Sequence, residues 1–263
     1  MVKNLRQDVK STDVCNHVSK DDFKEKKFYT LMKGFGETDL PDGKRRKLKK
    51  NEGKALIRFL PNFKGKKDNQ SIFYRPTHYF EHNGVKWFSE CIGNDCPICR
   101  WSNSLPQYLR EKIGSYKKHR FVANIIVIDE PVPENIGKCF LFEFGKQLYD
   151  VIMKKNETSK YAFYNLNNGM NLEVLCLIVG NRPTYAYSTF EEESNIDDEI
   201  EYIPDNDDDT IDDYLYENSF NIEEILDYDS NQIIKDFDDY LSKVEGIPSF
   251  INNSHLEGDN SNG

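Results

Sequence analysis

Three cysteines stand within nine positions in the stretch ECIGNDCPICRWSN (90–103), in a chain of 263 residues that has only six. Cys96-Pro-Ile-Cys99 is a C-x2-C knuckle. Two intervening residues let both thiolates face one ion while backbone amides point at the sulfurs. Cys91 lies across Gly93 and Asn94 from the knuckle and can supply a third sulfur. His78 and His82 both precede the turn Asn83-Gly84, and a hairpin there folds their strand back beside Cys91. Either imidazole would complete a tetrahedron with the three thiolates, so a structural zinc site (one Zn2+) is expected. A disulfide framework is not expected. The start, MVKNLRQDVKSTDVCNHVSKDD, has no apolar signal core, and no stretch approaches the ~18 apolar residues of a membrane span. The chain therefore reads as intracellular and not secreted, with no membrane partner, and its cysteines stay reduced. Cys139 and Cys176 fall in strand patterns and read as core fillers; Cys15 stands apart.

The same residues argue against an enzyme. Zinc nucleobase deaminases require H-x-E and P-C-x-x-C. Here His78-Tyr-Phe-Glu81 sets the glutamate one residue too far, and the proline follows Cys96 instead of preceding it. Four protein ligands leave no open position for a water. The phosphate-cradling GxxxxGK[ST], HExxH and GxSxG patterns are absent.

Around the cluster the chain alternates short apolar runs with turns. Strands are predicted at KALIRFLP (54–61), IFYRPTHYF (72–80), VKWFSEC (85–91), RFVANIIVIDEP (120–131), GKCFLFEFG (137–145), MNLEVLCLIVG (170–180) and TYAYSTF (184–190). KKFYTLMKGF (26–35) fits a short helix or strand. Helical patterns occur after Pro106 and over KQLYDVIMKK (146–155). Many strands with few helices between them predict a mainly β fold with some α, a small barrel or sandwich. Three segments follow: a polar, basic segment 1–50, a strand-rich core 51–190, and an acidic segment 191–263. Residues 191–220 read as flexible or loosely ordered. Ile222, Ile225, Leu226, Ile233, Ile234, Phe237 and Leu241 stand at helical intervals and predict an amphipathic helix or helix pair over 221–246.

The charge is divided along the same lines. Residues 1–190 hold 33 Lys+Arg against 21 Asp+Glu, and residues 191–263 hold 2 against 24. A cationic body with an acidic appendage suits a polyanion. In SYKKHRF (115–121), Lys117, Lys118 and Arg120 can meet phosphates while Tyr116 and Phe121 offer ring faces. A cationic track with flat π surfaces is what a sequence-tolerant single-strand binder needs. Further candidates are Arg58, Arg75, Trp101 beside Arg100, Tyr108 with Arg110, Phe142, and Arg182 with Tyr185 and Tyr187. A reading from another class is an adaptor: a zinc-stapled platform whose acidic helix docks a partner and whose basic face is incidental.

GKALIRFLP (53–61), a histidine thirteen positions before the first cysteine, NGVKW (83–87), CPIC (96–99) and ANIIVIDEPVPENIGKCFLFEFGKQLYDVI (123–152) together resemble the single-stranded-DNA-binding (helix-destabilising) proteins of T-even-type bacteriophages. The resemblance runs through residues 53–190. It implies an OB-fold-like barrel with a small zinc-binding subdomain, and it selects His78 over His82 as the ligand beside Cys91, Cys96 and Cys99. It places DNA contacts on Arg58, Lys117, Lys118, Phe121, Phe142 and Tyr185, with Val122 where the family has a tryptophan. It also implies a protein that coats single-stranded DNA during phage replication, recombination and repair, in the cytoplasm of the infected bacterial host. Self-association along DNA would arise from the N-terminal segment, where Lys10-Ser11-Thr12 is a trace of the family's basic motif. Replication and recombination proteins would dock on acidic residues 191–245.

Overall fold

A computed structural model of the chain describes residues 16–17, 28–40, 43–66, 70–200, 210–227, 229–244 and 246–247. The described chain opens with β1 (Asn16–His17) and a ribbon of β2 (Glu37–Asp39) and β3 (Arg45–Lys47). β4 (Gly53–Leu60), β5 (Ile72–Tyr74), β6 (Thr77–His82) and β7 (Val85–Glu90) follow. Helices α1 (Pro97–Ser104) and α2 (Gln107–Lys112) then lead through the short β8 (Tyr116–Lys118) into β9 (Arg120–Asp129). After β10 (Cys139–Gly145) come α3 (Lys146–Asn156), β11 (Gly169–Val179), β12 (Arg182–Thr184) and β13 (Thr189–Ser194). The end is helical: α4 (Ile196–Glu199), α5 (Ile211–Asn218), α6 (Ile222–Ile225) and α7 (Ser230–Leu241).

Two sheets matter for the site. In the large one, β9 is the hub: β10 pairs antiparallel along one edge, β5 and β4 along the other. β4 passes the sheet on to β11, which also takes β12 and β13. The small one has the order β7-β6-β8, all antiparallel. Its hairpin turns at Asn83 (φ 50°) and Gly84 (φ 79°), the positive pair that a tight two-residue hairpin demands. Phe28, in the stretch read as a short helix or strand, bridges Leu141 of β10.

β9 reads RFVANIIVID, an almost unbroken apolar run, so both of its faces must be covered. One face carries Phe121, Ala123, Ile125 and Val127 into the main core with Ile57, Phe59, Phe163 and Leu172. The other carries Val122 and Ile126, and the acidic C-terminal segment covers it. Ile222, Ile225 and Leu226 pack with Val122, and Tyr214 and Leu215 pack with Ile126. Asn124, the polar residue on that face, donates to Phe220 O (2.8 Å) and accepts from Phe220 N (3.1 Å).

The expected flexibility of residues 191–220 gives way to order in the parts described. β13 extends the large sheet, and α4 and α5 bury Ile196, Tyr214 and Leu215. The apolar residues scattered among the acids supply the cover that β9 requires. The helix pair read over 221–246 appears as α6 and α7. Asp229 starts α7 by accepting from Asn231 N and Gln232 N. Ile233, Phe237, Tyr240 and Leu241 line one stripe of α7, which packs against Phe80, Ile98, Trp101 and Ile113 of the small-sheet module.

Candidate metal centre and nucleic-acid interface

Local structure brings the cysteines and one histidine together. Cys91 leaves the end of β7 and its N–H donates to Pro76 O (2.8 Å). The loop turns at Gly93 (φ 108°) and returns to Cys96, which sits at the start of α1 with Pro97 behind it. Cys99 follows in the first turn of α1, on the side of its helical neighbour Cys96. β6 presents His78 from across the sheet.

The Nε2 of His78 lies 3.3 Å from Cys96 Sγ and 3.8 Å from Cys99 Sγ, and the Sγ atoms of Cys91 and Cys99 are 3.5 Å apart. All four ligand atoms fall within 4.8 Å of one another; His78, Cys91 and Cys96 are buried and Cys99 half-buried. A tetrahedral zinc with Zn–S of about 2.3 Å and Zn–N of about 2.0–2.1 Å requires ligand separations of roughly 3.5–3.8 Å. The donor set and its spacing therefore fit that ion.

The charges point the same way. Burial lowers the pKa of the His78 imidazole, but hydrogen bonds to Cys91 and Cys96 outweigh it and raise the pKa to about 9. Cys91 is pushed far down by its bonds to Cys96 and Cys99, while Cys99 is pushed up by the same crowding. Three sulfurs this close share negative charge unequally, and a divalent cation would let all of them ionise. Lys117 Nζ reaches Cys99 Sγ at 3.7 Å and adds a positive charge from β8. His82, the other histidine of the strand, stays outside the group, with Nδ1 3.2 Å from Lys112 O.

The expected DNA contacts divide into two classes. Arg58, Trp101, Phe121 and Phe142 are interior, contrary to the surface role expected for them. Arg58 is fully buried and braces β4 against the end of β13. Its guanidinium donates to Asn171 Oδ1 (3.2 Å), Ser194 Oγ (3.2 Å) and Ser194 O (2.6 Å), and burial lowers its pKa to about 10. Trp101 stands edge-on to Phe237 at 5.1 Å in the small module. Phe121 stacks on Tyr149 at 3.9 Å with planes 5° apart, and Phe142 lies 5.3 Å from Phe144. The reason is alternation: Phe140, Phe142 and Phe144 of β10 share the face turned to the main core, as Phe121 does on β9.

Lys117 and Lys118 are exposed, and Arg120 is half-buried with Nε 3.7 Å from Glu143 Oε1. Tyr185 is half-buried against the main core, where burial raises its phenol pKa to about 12. The backbone of Tyr116 pairs with Tyr79, but its side chain lies outside the described residues. Arg75 is buried, and its guanidinium bonds Glu90 of the small sheet and Glu143 of the large one. It ties the two sheets together. Sequence reasoning missed the partner that His119 finds in Tyr74. Their rings stack at 5.7 Å and Tyr74 Oη lies 2.6 Å from His119 Nδ1. The signal was the third base in KKHR, read only as part of a charge run.

Residues 51–245 match the family model described as gp32 DNA binding protein like. The chain is 34% identical over 131 residues to the single-stranded DNA-binding protein of Enterobacteria phage T4, covering 46% of this chain and 42% of that protein. Against the protein of the same name from Enterobacteria phage T2 it is 35% identical over 130 residues, covering 45% and 42%. The matches thus span less than half the length of these curated relatives. With the family model covering both sheets and the helices packed on them, the chain belongs to the gp32-like DNA-binding protein family.

Proposed function

We propose that this protein binds single-stranded DNA without sequence preference, coating and protecting it during phage replication, recombination and repair. The observation that carries the reading is the exposed basic strand Lys117–Lys118, continuing to Arg120, in a chain whose T4 and T2 relatives are named single-stranded DNA-binding proteins. This strand runs from the thiolate cluster into the hub of the large sheet, so the metal module fixes its position. Lys117, Lys118 and Arg120 neutralise phosphates, and Tyr185 with Tyr116 serves unstacked bases. Each phosphate neutralised contributes about −0.7 to the log–log salt slope, and each stacked base adds ~1–3 kcal/mol.

His78, Cys91, Cys96 and Cys99 would hold one structural zinc, which supplies a cross-link between β6, the loop after β7 and α1. The large sheet serves as an OB-type barrel, with β4, β9, β10 and β11 as its walls. Interior Arg58, Phe121 and Phe142 stiffen that wall from behind. Self-association along DNA is assigned to residues 1–50. No helix among the described residues is long and apolar enough to cross a membrane.

The second reading is an adaptor function for acidic residues 191–245. What favours it is the outward display of Glu217, Glu224, Asp236 and Asp239 by helices whose apolar sides are already buried. Quenching of tyrosine and tryptophan emission on titration with poly-dT, at two salt concentrations, tests the main reading. Saturable quenching that weakens with salt is expected. No quenching at low salt would leave only the adaptor.

A further inference from the structure

Strand alternation gives the small sheet two different faces. His78, Phe80 and Trp87 turn toward the metal centre and α7. Tyr79 and Phe88 turn the other way, and the register sets them directly opposite each other. Phe88 lies mid-strand yet is 54% exposed, and Tyr79 beside it is half-buried. Among the described residues no aromatic ring packs on Phe88. Lys118 of β8 holds its ammonium 4.5 Å from the centre of the Tyr79 ring. Lys86, one residue before Phe88, is also exposed. Two acids share this face: Glu90 is buried in its pair with Arg75, and Glu81 accepts from the Tyr79 hydroxyl and lies 3.5 Å from Lys86 Nζ.

We infer that this outer face is a stacking platform for unpaired bases, with Phe88 and Tyr79 as the ring faces and Lys118 and Lys86 meeting the flanking phosphates. The inference rests on the single-strand-binding reading and extends it to a second face of the module. Chemistry favours a nucleobase as the occupant. Phe88 has no hydrogen-bonding group, so it recognises a flat π-surface of any base, and the Lys118 ammonium over the Tyr79 ring, with exposed Lys86 on the neighbouring strand, suits the phosphates between successive bases. Lys118 belongs to the basic strand already assigned to the backbone, so a strand bound there continues onto this face without a gap in charge.

The test uses the full zinc-loaded chain and poly-dT. Phe88→Ala removes an exposed ring and should lower affinity by about 5- to 150-fold with the salt slope unchanged. Lys118→Ala should instead reduce the slope by about 0.7. Phe88→Trp should retain affinity and give an exposed indole whose emission is quenched at saturation. Wild-type affinity in Phe88→Ala together with an unmoved Phe88→Trp emission overturns the platform, while wild-type binding to poly-dT leaves the broader reading standing. Failure of the wild-type protein to bind poly-dT removes both.

Discussion

The large and small sheets solve the same problem by different means. The large sheet buries β9 on both faces with residues from its own neighbouring strands and from α5 and α6. The small sheet has three short strands and one covered face. Its cover comes from α1, the His78/Cys91/Cys96/Cys99 cluster and α7, which arrives about 150 residues later in the chain. The large sheet rests on a deep apolar core. The small module borrows a distant helix and, on the proposed reading, an ion as well, and it carries the proposed DNA strand.

The comparison breaks most sharply at the metal. Cys96→Ser should abolish zinc binding and release most of a coupling energy that in small zinc modules is about 10–16 kcal/mol. Hydrogen exchange should then show amides of β6 and β7 losing protection while those of β9 and β11 keep it; equal loss in both sheets would erase the distinction. Next come matched cavities. Phe237→Ala empties the site among Trp87 (4.8 Å), Phe80 (5.1 Å) and Trp101 (5.1 Å), and should cost about 3–5 kcal/mol. Its thermal melt should lose the small module first. Phe59→Ala, at similar cost, should lower the transition of the whole molecule.

Smaller still is the joint between the sheets. Arg75→Ala leaves Glu90 buried without its cation and should cost about 3 kcal/mol, read as a drop in urea midpoint. The smallest effect belongs to the joint between the β2–β3 ribbon and the large sheet. Buried Glu52 is held at about 2 by hydrogen bonds from Arg46, with further bonds from Ile178 N and Lys49 N. A carboxyl held below its ordinary value stabilises the fold fully above about pH 4.5, and that contribution fades as pH falls toward 2. The stability gap between wild type and Glu52→Gln should therefore close on acidification.

Much of this was legible in the residues. The cysteine spacing marked the Cys3His cluster, which could hold a metal ion, and Asn83-Gly84 marked the hairpin. The runs at 54–61, 120–131, 137–145 and 170–180 became β4, β9, β10 and β11 with small shifts at their ends. TYAYSTF was misread as one strand: Ser188 N bonds back to Tyr185 O, and the turn separates β12 from β13. The choice between His78 and His82 needed the family resemblance, because both lie on one side of one strand. Arg58 was read as a surface cation because its partners, Asn171, Ser194 and the carbonyl of Asn165, lie more than a hundred residues away. The order in the described parts of 191–220 was hidden because net charge was weighed above the few apolar residues that meet β9.

The most direct measurement is the affinity for poly-dT of one preparation before and after zinc chelation, with hydrogen exchange followed on the same samples. The account predicts weaker binding after chelation, loss of protection confined to the small sheet, and recovery of both on return of zinc. Undiminished affinity in a protein whose small sheet has lost its protection would contradict it.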